Sequence, residues 1–316
     1  MHEPNYDVVI IGGGVAGLSA AIYTGRLMLK TIIITEKPGG TIILTNDIAN
    51  YPGFRNITGI ELFQKLEQHA KDYNIETINK KATRIERCAE GCLKVFTGDE
   101  HYHTRTIIIA TGTEWRKLNV PGEEEFTTKG VHYCALCDGP FYKDKIVAVI
   151  GGSDSAAKEA LLLAGYAKEV YIIYRKEKIR PEPINLKRVR DNPKIKIINN
   201  TNVKEIKGDE KVKSVILDRP YNGKTEFRLD ALFIEIGHIP LSQLAKDTGI
   251  ELNEKSEIII DKDSKTNLNG IYAAGDVADT RFKQAITGVG EAVKAAYSAY
   301  HFINRTELIC LCNDED

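Results

Sequence analysis

The sequence has no excess of either charge. Its 43 Lys and Arg stand against 44 Asp and Glu, a formal net charge of −1. That balance removes the electrostatic case for nucleic acid or an anionic membrane as a partner. Long apolar runs are missing too. Stretches such as Ile107 to Ala110 or Leu161 to Ala164 fall far short of the about 20 residues that cross a bilayer. The first residues, Met1-His2-Glu3-Pro4-Asn5, are polar and show no secretory signal. Cysteine is scarce, six in 316 residues, which is no disulfide framework. A reducing, cytoplasmic setting is expected, where a disulfide is more often catalytic than structural. At this length, with 42% hydrophobic residues, there is material for two packed domains.

Two of the cysteines stand close together, in Cys134-Ala135-Leu136-Cys137-Asp138-Gly139. That spacing lets the Cα atoms approach to the roughly 5.5–6 Å that a disulfide needs. The ring is small, so it opens and closes with little chain movement. Such pairs tend to hold one thiol of lowered pKa, a better nucleophile and leaving group. Asp138 stands where it can pass a proton to or from the departing thiolate. The competing reading is half of a zinc site. Zinc would need a second ligand pair at similar spacing, and no other Cys-x-x-Cys exists, so redox chemistry is favoured. Cys88 and Cys92 read as ordinary thiols in a sheet, and no metal site is read from the sequence.

Glycine loops flank the pair on both sides. Tyr6-Asp7-Val8-Val9-Ile10-Ile11 reads as a buried parallel strand, running into Gly12-Gly13-Gly14-Val15-Ala16-Gly17 and an Ala-rich helix to about Arg26. Gly12, Gly14 and Gly17 form G-x-G-x-x-G: a tight turn, a close approach of backbone to pyrophosphate, and close packing of helix on strand. The helix start then offers unpaired N–H groups to phosphate. A second strand, Thr31 to Thr35, ends at Glu36, where an acid accepts from a ribose hydroxyl. Residues 61–73 read as an amphipathic helix, 75–102 as a small antiparallel sheet, and Thr106 to Ala110 as a buried strand. Pro121-Gly122 reads as a linker.

The pattern then repeats. Residues 145–150 are a strand, followed by Gly151-Gly152-Ser153-Asp154-Ser155-Ala156 and a helix to about Ala164. Serine replaces the middle glycine. The next strand, Val170 to Tyr174, ends not in acid but in Arg175, Lys176 and Arg180, which favour a 2′-phosphate and hence NADPH. Two such units imply two dinucleotides. Further on, 231–238 reads as a strand into a turn, and Gly270 to Val277 as a buried strand ending in Gly275-Asp276, an acid placed to accept from a polyol hydroxyl. Residues 283–300 form the last helix. Leu308 to Cys312, with the Cys310-x-Cys312 pair, reads as a short apolar strand or loose end, not a second redox station.

The whole chain to about Asn304 resembles the low-molecular-weight thioredoxin reductase family. The carrying motifs are the first glycine loop, Ala110-Thr111-Gly112, the Cys-Ala-Leu-Cys-Asp-Gly stretch, the second glycine loop and Ala273-Ala274-Gly275-Asp276. The resemblance implies an α/β fold of two Rossmann-like dinucleotide-binding domains. Residues 1–117 and 244–316 would form a discontinuous FAD domain, and 118–243 an inserted NADPH domain. It implies that Cys137 lies next to the flavin, that Cys134 attacks the protein substrate, and that Asp138 is the acid–base residue. Ala16, Gly39, Gly40, Thr41, Asn50, Thr111, Gly112, Lys283, Gln284 and Ala285 would join the flavin site, with Lys283 where the family usually has Arg. Tyr174 and Lys176 replace a His and an Arg in the basic motif, and Lys keeps the charge without the bidentate fork. Pro140, Phe141 and Lys129 would face thioredoxin. The implied protein is a homodimer, its middle domain rotating about linkers near Glu114 to Pro121 and Gly237 to Gln243. Two alternatives share the architecture. One takes electrons from ferredoxin or a deazaflavin. The other is a peroxidase's flavoprotein partner, which usually carries a thioredoxin-like region ahead of the first strand.

Overall fold

The structure is a computed structural model and describes residues 5–45, 48–88 and 92–305. Cys310 and Cys312 lie outside the described residues. The chain divides into two compact units, one made of Met1–Glu114 and Pro240–Asp316, the other of Trp115–Ile239. Pro121-Gly122, expected to be a linker, therefore falls inside the second unit.

In the first unit, the strand Tyr6–Ile11 lies between Thr31–Ile34 and Glu100–Ile109, parallel to both. Val8, Val9, Ile10, Ile32, Ile33, Ile107 and Ile108 are wholly inaccessible to solvent. Apolar residues on both faces are what a parallel sheet covered on two sides demands. The strand Glu100–Ile109 shares its other edge between two partners. Its first half pairs antiparallel with Leu93–Thr97, and its last three residues pair parallel with Ile271–Ala273. The returning chain thereby joins the sheet begun by the first 109 residues. Residues 75–102 are not a separate antiparallel sheet. Glu76–Ile78 extends the parallel part beside Thr31–Ile34, and only Arg84–Arg87 and Leu93–Thr97 run antiparallel, in the same sheet. Alternation alone does not separate an edge strand from a hairpin.

The helices Val15–Arg26 and Ala285–Arg305 pack on one face of this sheet through small residues, among them Ala20, Ala21, Ala292, Ala295, Ala296 and Ala299. Gly59–Lys71 starts with a capping box: Thr58 Oγ1 accepts from Glu61 N at 3.2 Å, and a Glu61 carboxylate oxygen accepts from Thr58 N at 3.0 Å.

The second unit is built on a fully parallel sheet in the order Ile195–Ile198, Glu169–Ile173, Ile146–Ile150, Ala231–Ile234, Val131–His132. The helix Asp154–Ala164 covers one face through Ala156, Ala157, Ala160 and Leu163. A three-stranded antiparallel sheet, Val203–Gly208, Val212–Tyr221 and Lys224–Arg228, contributes Val203, Ile206, Val215 and Leu217 to a core on the other.

Close packing at the first loop leaves no room for a side chain at Gly17, where a Cβ would stand 1.9 Å from the Gly12 carbonyl oxygen. Gly290, on the last helix, has nothing within 4 Å of its Cβ position. Gly17→Ala is expected to lower stability by about 2 kcal/mol or more. Gly290→Ala is expected to be neutral or to add about 0.5–1 kcal/mol. Thermal unfolding of the two variants reads the difference. Equal melting temperatures would show that the loop is not packed as described.

Candidate functional site

In the first unit the glycines crowd together at the exits of the sheet strands. Gly12 adopts φ +118° with its Cβ direction blocked by the Ala110 carbonyl, so no other residue fits there. Gly39 N donates to Gly13 O at 2.9 Å. A Cβ on Gly40 would lie 3.5 Å from the Gly14 Cα, and one on Gly275 would lie 2.9 Å from the Ala16 Cβ. Asn50 Nδ2 donates to Gln284 Oε1 at 2.9 Å, joining two further expected residues. The helix Val15–Arg26 starts at Gly14 with no side-chain cap, so its first N–H groups face outward. This cradle of bare backbone and uncapped donors fits a dinucleotide pyrophosphate.

Other expected residues play supporting parts. Lys283 Nζ donates to Asp276 O at 2.9 Å and pairs with Glu257 at 3.1 Å, so the ammonium ties the Gly275-Asp276 loop to its neighbour. Thr111 Oγ1 donates to Leu241 O at 2.8 Å, and Gly112 O accepts from Leu241 N at 3.0 Å. Both therefore hold the returning chain. Ala285 opens the last helix and packs beside Val15 and Ile48. Glu36 and Thr41 are exposed, Glu36 lying 3.9 Å from Lys81. Glu291 belongs to no motif in the sequence. Buried on the last helix, it accepts from Gly275 N at 2.9 Å and from Thr280 Oγ1.

The second unit holds the other loop. Gly151 sits with its Cβ direction against the Glu235 carbonyl, at φ +154°. Here the helix is capped, Ser153 Oγ accepting from Ala156 N at 3.4 Å. Asp154 binds Glu182 N and Asn185 Nδ2, both at 2.8 Å, and Lys158 at 3.0 Å. Burial alone would raise its pKa, but these donors hold it below the usual carboxylate range. Asp154 is thus a brace for the loop. Ser155, Arg175, Lys176 and Arg180 are all exposed. Arg180 N donates to Gly152 O at 2.7 Å, and the Tyr174 ring covers Gly152. The basic run and the glycine loop therefore share one neighbourhood.

The same unit carries the cysteine pair. Cys134 and Cys137 are joined as a disulfide, their Cα atoms 5.4 Å apart, at the start of the short helix Ala135–Asp138. Cys137 N donates to Cys134 Sγ at 3.1 Å, a contact that favours negative charge on that sulfur once the bond opens. Cys134 is only 7% accessible, whereas Cys137 is exposed. The thiol expected to attack is thus the more covered one.

Asp138 does not stand alone. Its Oδ2 lies 3.0 Å from His132 Nδ1, and His132 Nε2 lies 2.8 Å from the Tyr142 hydroxyl. His132 is buried between Phe233 and Tyr142. Burial pulls its imidazole below its usual range despite Asp138, and burial beside Asp138 pushes Tyr142 up to about 12. A neutral His132 donating from Nδ1 to Asp138 and accepting at Nε2 from Tyr142 satisfies all three groups. Glu159 Oε1 accepts from Ala135 N at 2.9 Å, at the first residue of the redox helix. Its other oxygen is buried without a hydrogen-bond partner, and its carboxyl group interacts with that of Glu235. Two acids so close cannot both ionise. Burial raises both, Glu235 to about 9, and the pair retains a proton at neutral pH. Sequence reasoning missed His132 and this pair. A hint was present in Glu235, an acid directly behind the apolar run Ala231–Ile234.

Two glycine loops and a closed Cys-x-x-Cys beside buried acids define a nucleotide-linked disulfide oxidoreductase. Residues 6–292 match the family described as pyridine nucleotide-disulphide oxidoreductase. A thioredoxin reductase of Bacillus subtilis is 40% identical over 97% of each chain. The crystal structure of Lactococcus lactis thioredoxin reductase superposes with a TM-score of 0.91 at 40% identity, covering 95% of this chain and 100% of that one. A component of alkyl hydroperoxide reductase from Staphylococcus epidermidis is 37% identical over 95% of this chain but only 59% of its own length. The chain belongs to the low-molecular-weight thioredoxin reductases, within the pyridine nucleotide-disulphide oxidoreductase family. Among the described residues no helix is long and apolar enough to cross a membrane.

The Glu159–Glu235 pair carries a pH signature. The folded chain keeps a proton at Glu235 that the unfolded chain releases near the ordinary carboxylate value of 4.5. The stability this proton contributes is fully present at acidic pH. It falls as pH rises towards about 9, at about 1.4 kcal/mol per pH unit for each retained proton. Glu235→Gln is expected to flatten this slope and to stabilise the protein at the alkaline end. Denaturant unfolding of both proteins between about pH 6 and about pH 9 measures it. Parallel curves would mean that the pair holds no extra proton.

Proposed function

We propose that this protein reduces the disulfide of a thioredoxin-like protein, taking electrons from NADPH through bound FAD and the Cys134–Cys137 pair. The closed disulfide, set on a helix start in the unit that carries the second glycine loop, is the observation that supports the reading most. Gly12, Gly14, Gly17, Gly39, Gly40, Asn50, Gly275, Asp276 and Gln284 would hold FAD. Gly151, Ser153, Ser155, Arg175, Lys176 and Arg180 would hold NADPH, with the three cations toward a 2′-phosphate. None of those cations has a carboxylate partner within 4 Å among the described residues, which leaves them available for one. When bound, the flavin supplies the two-electron exchange between nicotinamide and disulfide.

The remaining chemistry belongs to the chain. Two electrons break the Cys134–Cys137 bond and leave two sulfurs at thiolate or thiol level. The Cys134 thiolate, favoured by the Cys137 N–H, attacks one sulfur of the partner disulfide. A mixed disulfide forms, and the first partner sulfur leaves as thiolate. Cys137 then attacks Cys134 Sγ, which re-forms the internal disulfide and expels the second partner sulfur. The partner takes up two protons. Asp138, held by His132, is the group placed to hand them over. Phe141, 78% exposed behind Pro140, with Lys129 also exposed, offers an apolar and basic surface to the partner. The same reading places the protein in the cytoplasm as a homodimer, without nucleic acid or membrane.

The division of labour between the two thiols is testable. In Cys137→Ser, Cys134 is expected to hold the partner as a stable mixed disulfide, visible by non-reducing mass spectrometry. Cys134→Ser should trap none. Turnover is expected to fall by about a thousandfold or more in both. Trapping by Cys134→Ser instead would mean that exposure of Cys137 outweighs the stabilised Cys134 sulfur.

A further inference from the structure

The first unit contains a group of soft ligands that belongs to neither glycine loop. Cys88 and Cys92 stand opposite each other just beyond the paired strands Arg84–Arg87 and Leu93–Thr97. Cys88 N donates to Cys92 O at 2.9 Å, continuing the register in which Arg87 faces Leu93. Directly opposed residues of an antiparallel pair project to the same side of the sheet. On the next strand His103 is opposite Lys94, two residues from Cys92 and so on the same face. The two sulfurs and a ring nitrogen of His103 all lie within 4.8 Å of one another. Cys92 is wholly buried and His103 is 7% accessible, while Cys88 is partly accessible.

We propose that Cys88, Cys92 and His103 bind one thiophilic metal ion, Zn²⁺ being the cation that suits two thiolates and an imidazole. Zinc bonds of about 2.3 Å to sulfur and about 2.0–2.1 Å to nitrogen put tetrahedral ligand atoms roughly 3.5–3.8 Å apart. The three atoms already lie within about an ångström of that spacing. His101 supports the third ligand, its Nε2 lying 3.2 Å from His103 Nε2. Metal-bound imidazoles commonly lean on a second group that fixes ring and tautomer. Binding replaces two thiol protons with the metal and releases them to solvent. The fourth position takes a water. The ion would clip three strands of the first unit, far in sequence from the redox pair, so the proposal does not rest on the proposed function. Both cysteines look unremarkable in sequence, because a Cys-x₃-Cys without a second near pair is no zinc motif. Only the sheet register brings His103 to them.

The test uses the full chain with Cys134, Cys137, Cys310 and Cys312 all changed to Ser, leaving Cys88 and Cys92 as the only thiols. Zn²⁺ is measured by elemental analysis after dialysis, and Co²⁺ by its absorption. One metal ion per chain is expected, with Co²⁺ giving a thiolate charge-transfer band and tetrahedral visible bands. Adding Cys88→Ser, at the partly accessible position, should abolish both. His101→Gln should weaken Zn²⁺ about 10–100-fold while leaving the stoichiometry at one. In the otherwise unaltered protein, Cys88→Ser should leave disulfide reductase turnover unchanged. The proposal is overturned if no metal is retained, if Cys88→Ser retains it, or if the two thiols close into a disulfide in the presence of excess Zn²⁺.

Discussion

One exchangeable covalent bond, between the sulfurs of Cys134 and Cys137, sets the terms for the structure around it. A bond that must open and close in each cycle cannot be a strut. The helix Ala135–Asp138 therefore has to be held by other means. It is anchored by Glu159, which accepts from Ala135 N, and by Ala135 itself, buried in the core of the parallel sheet. The pair can change state while its backbone stays tied to the strands and the helix beneath.

The electrostatics follow from the same requirement. Opening the bond creates sulfur anions at the edge of an apolar core, where charge is costly. The nearby groups limit how much negative charge is present beforehand. His132 is neutral and hydrogen-bonded at both nitrogens, and Glu159 and Glu235 keep a proton between them. Had both acids been ionised, a reduced pair next to them would be harder to form. In the first unit the balance is different. There the cradle is bare backbone, and the buried acid Glu291 works as an acceptor for the Gly275 loop.

Much of the architecture was legible because it is local. Two strand–glycine–helix units announce themselves through adjacent residues: Val8 to Gly17, and Val147 to Ala156. The α/β class, the Cys-x-x-Cys pair and the family likeness follow from such stretches. What was not legible depends on register and convergence. Glu76–Ile78 reads like the hairpin strands after it, yet it joins the parallel edge. Glu159 comes from a helix and Glu235 from a strand tip 76 positions later in the chain (235 − 159), and nothing in their spacing announces that they meet. Asp154, Thr111 and Lys283 illustrate the converse. Their motif positions suggest ligand contact, and the sequence does not announce that their hydrogen bonds also brace the loops around them.

The central claim is that electrons travel from NADPH to a partner disulfide through the Cys134–Cys137 pair. Steady-state turnover of the flavin-containing protein with oxidised thioredoxin tests it most directly, NADPH and NADH being compared side by side. The account predicts one NADPH oxidised per disulfide reduced, a clear preference over NADH, and no thioredoxin reduction when both cysteines are changed to Ser. Thioredoxin reduction that survives that double change, or none with either nucleotide, would contradict it.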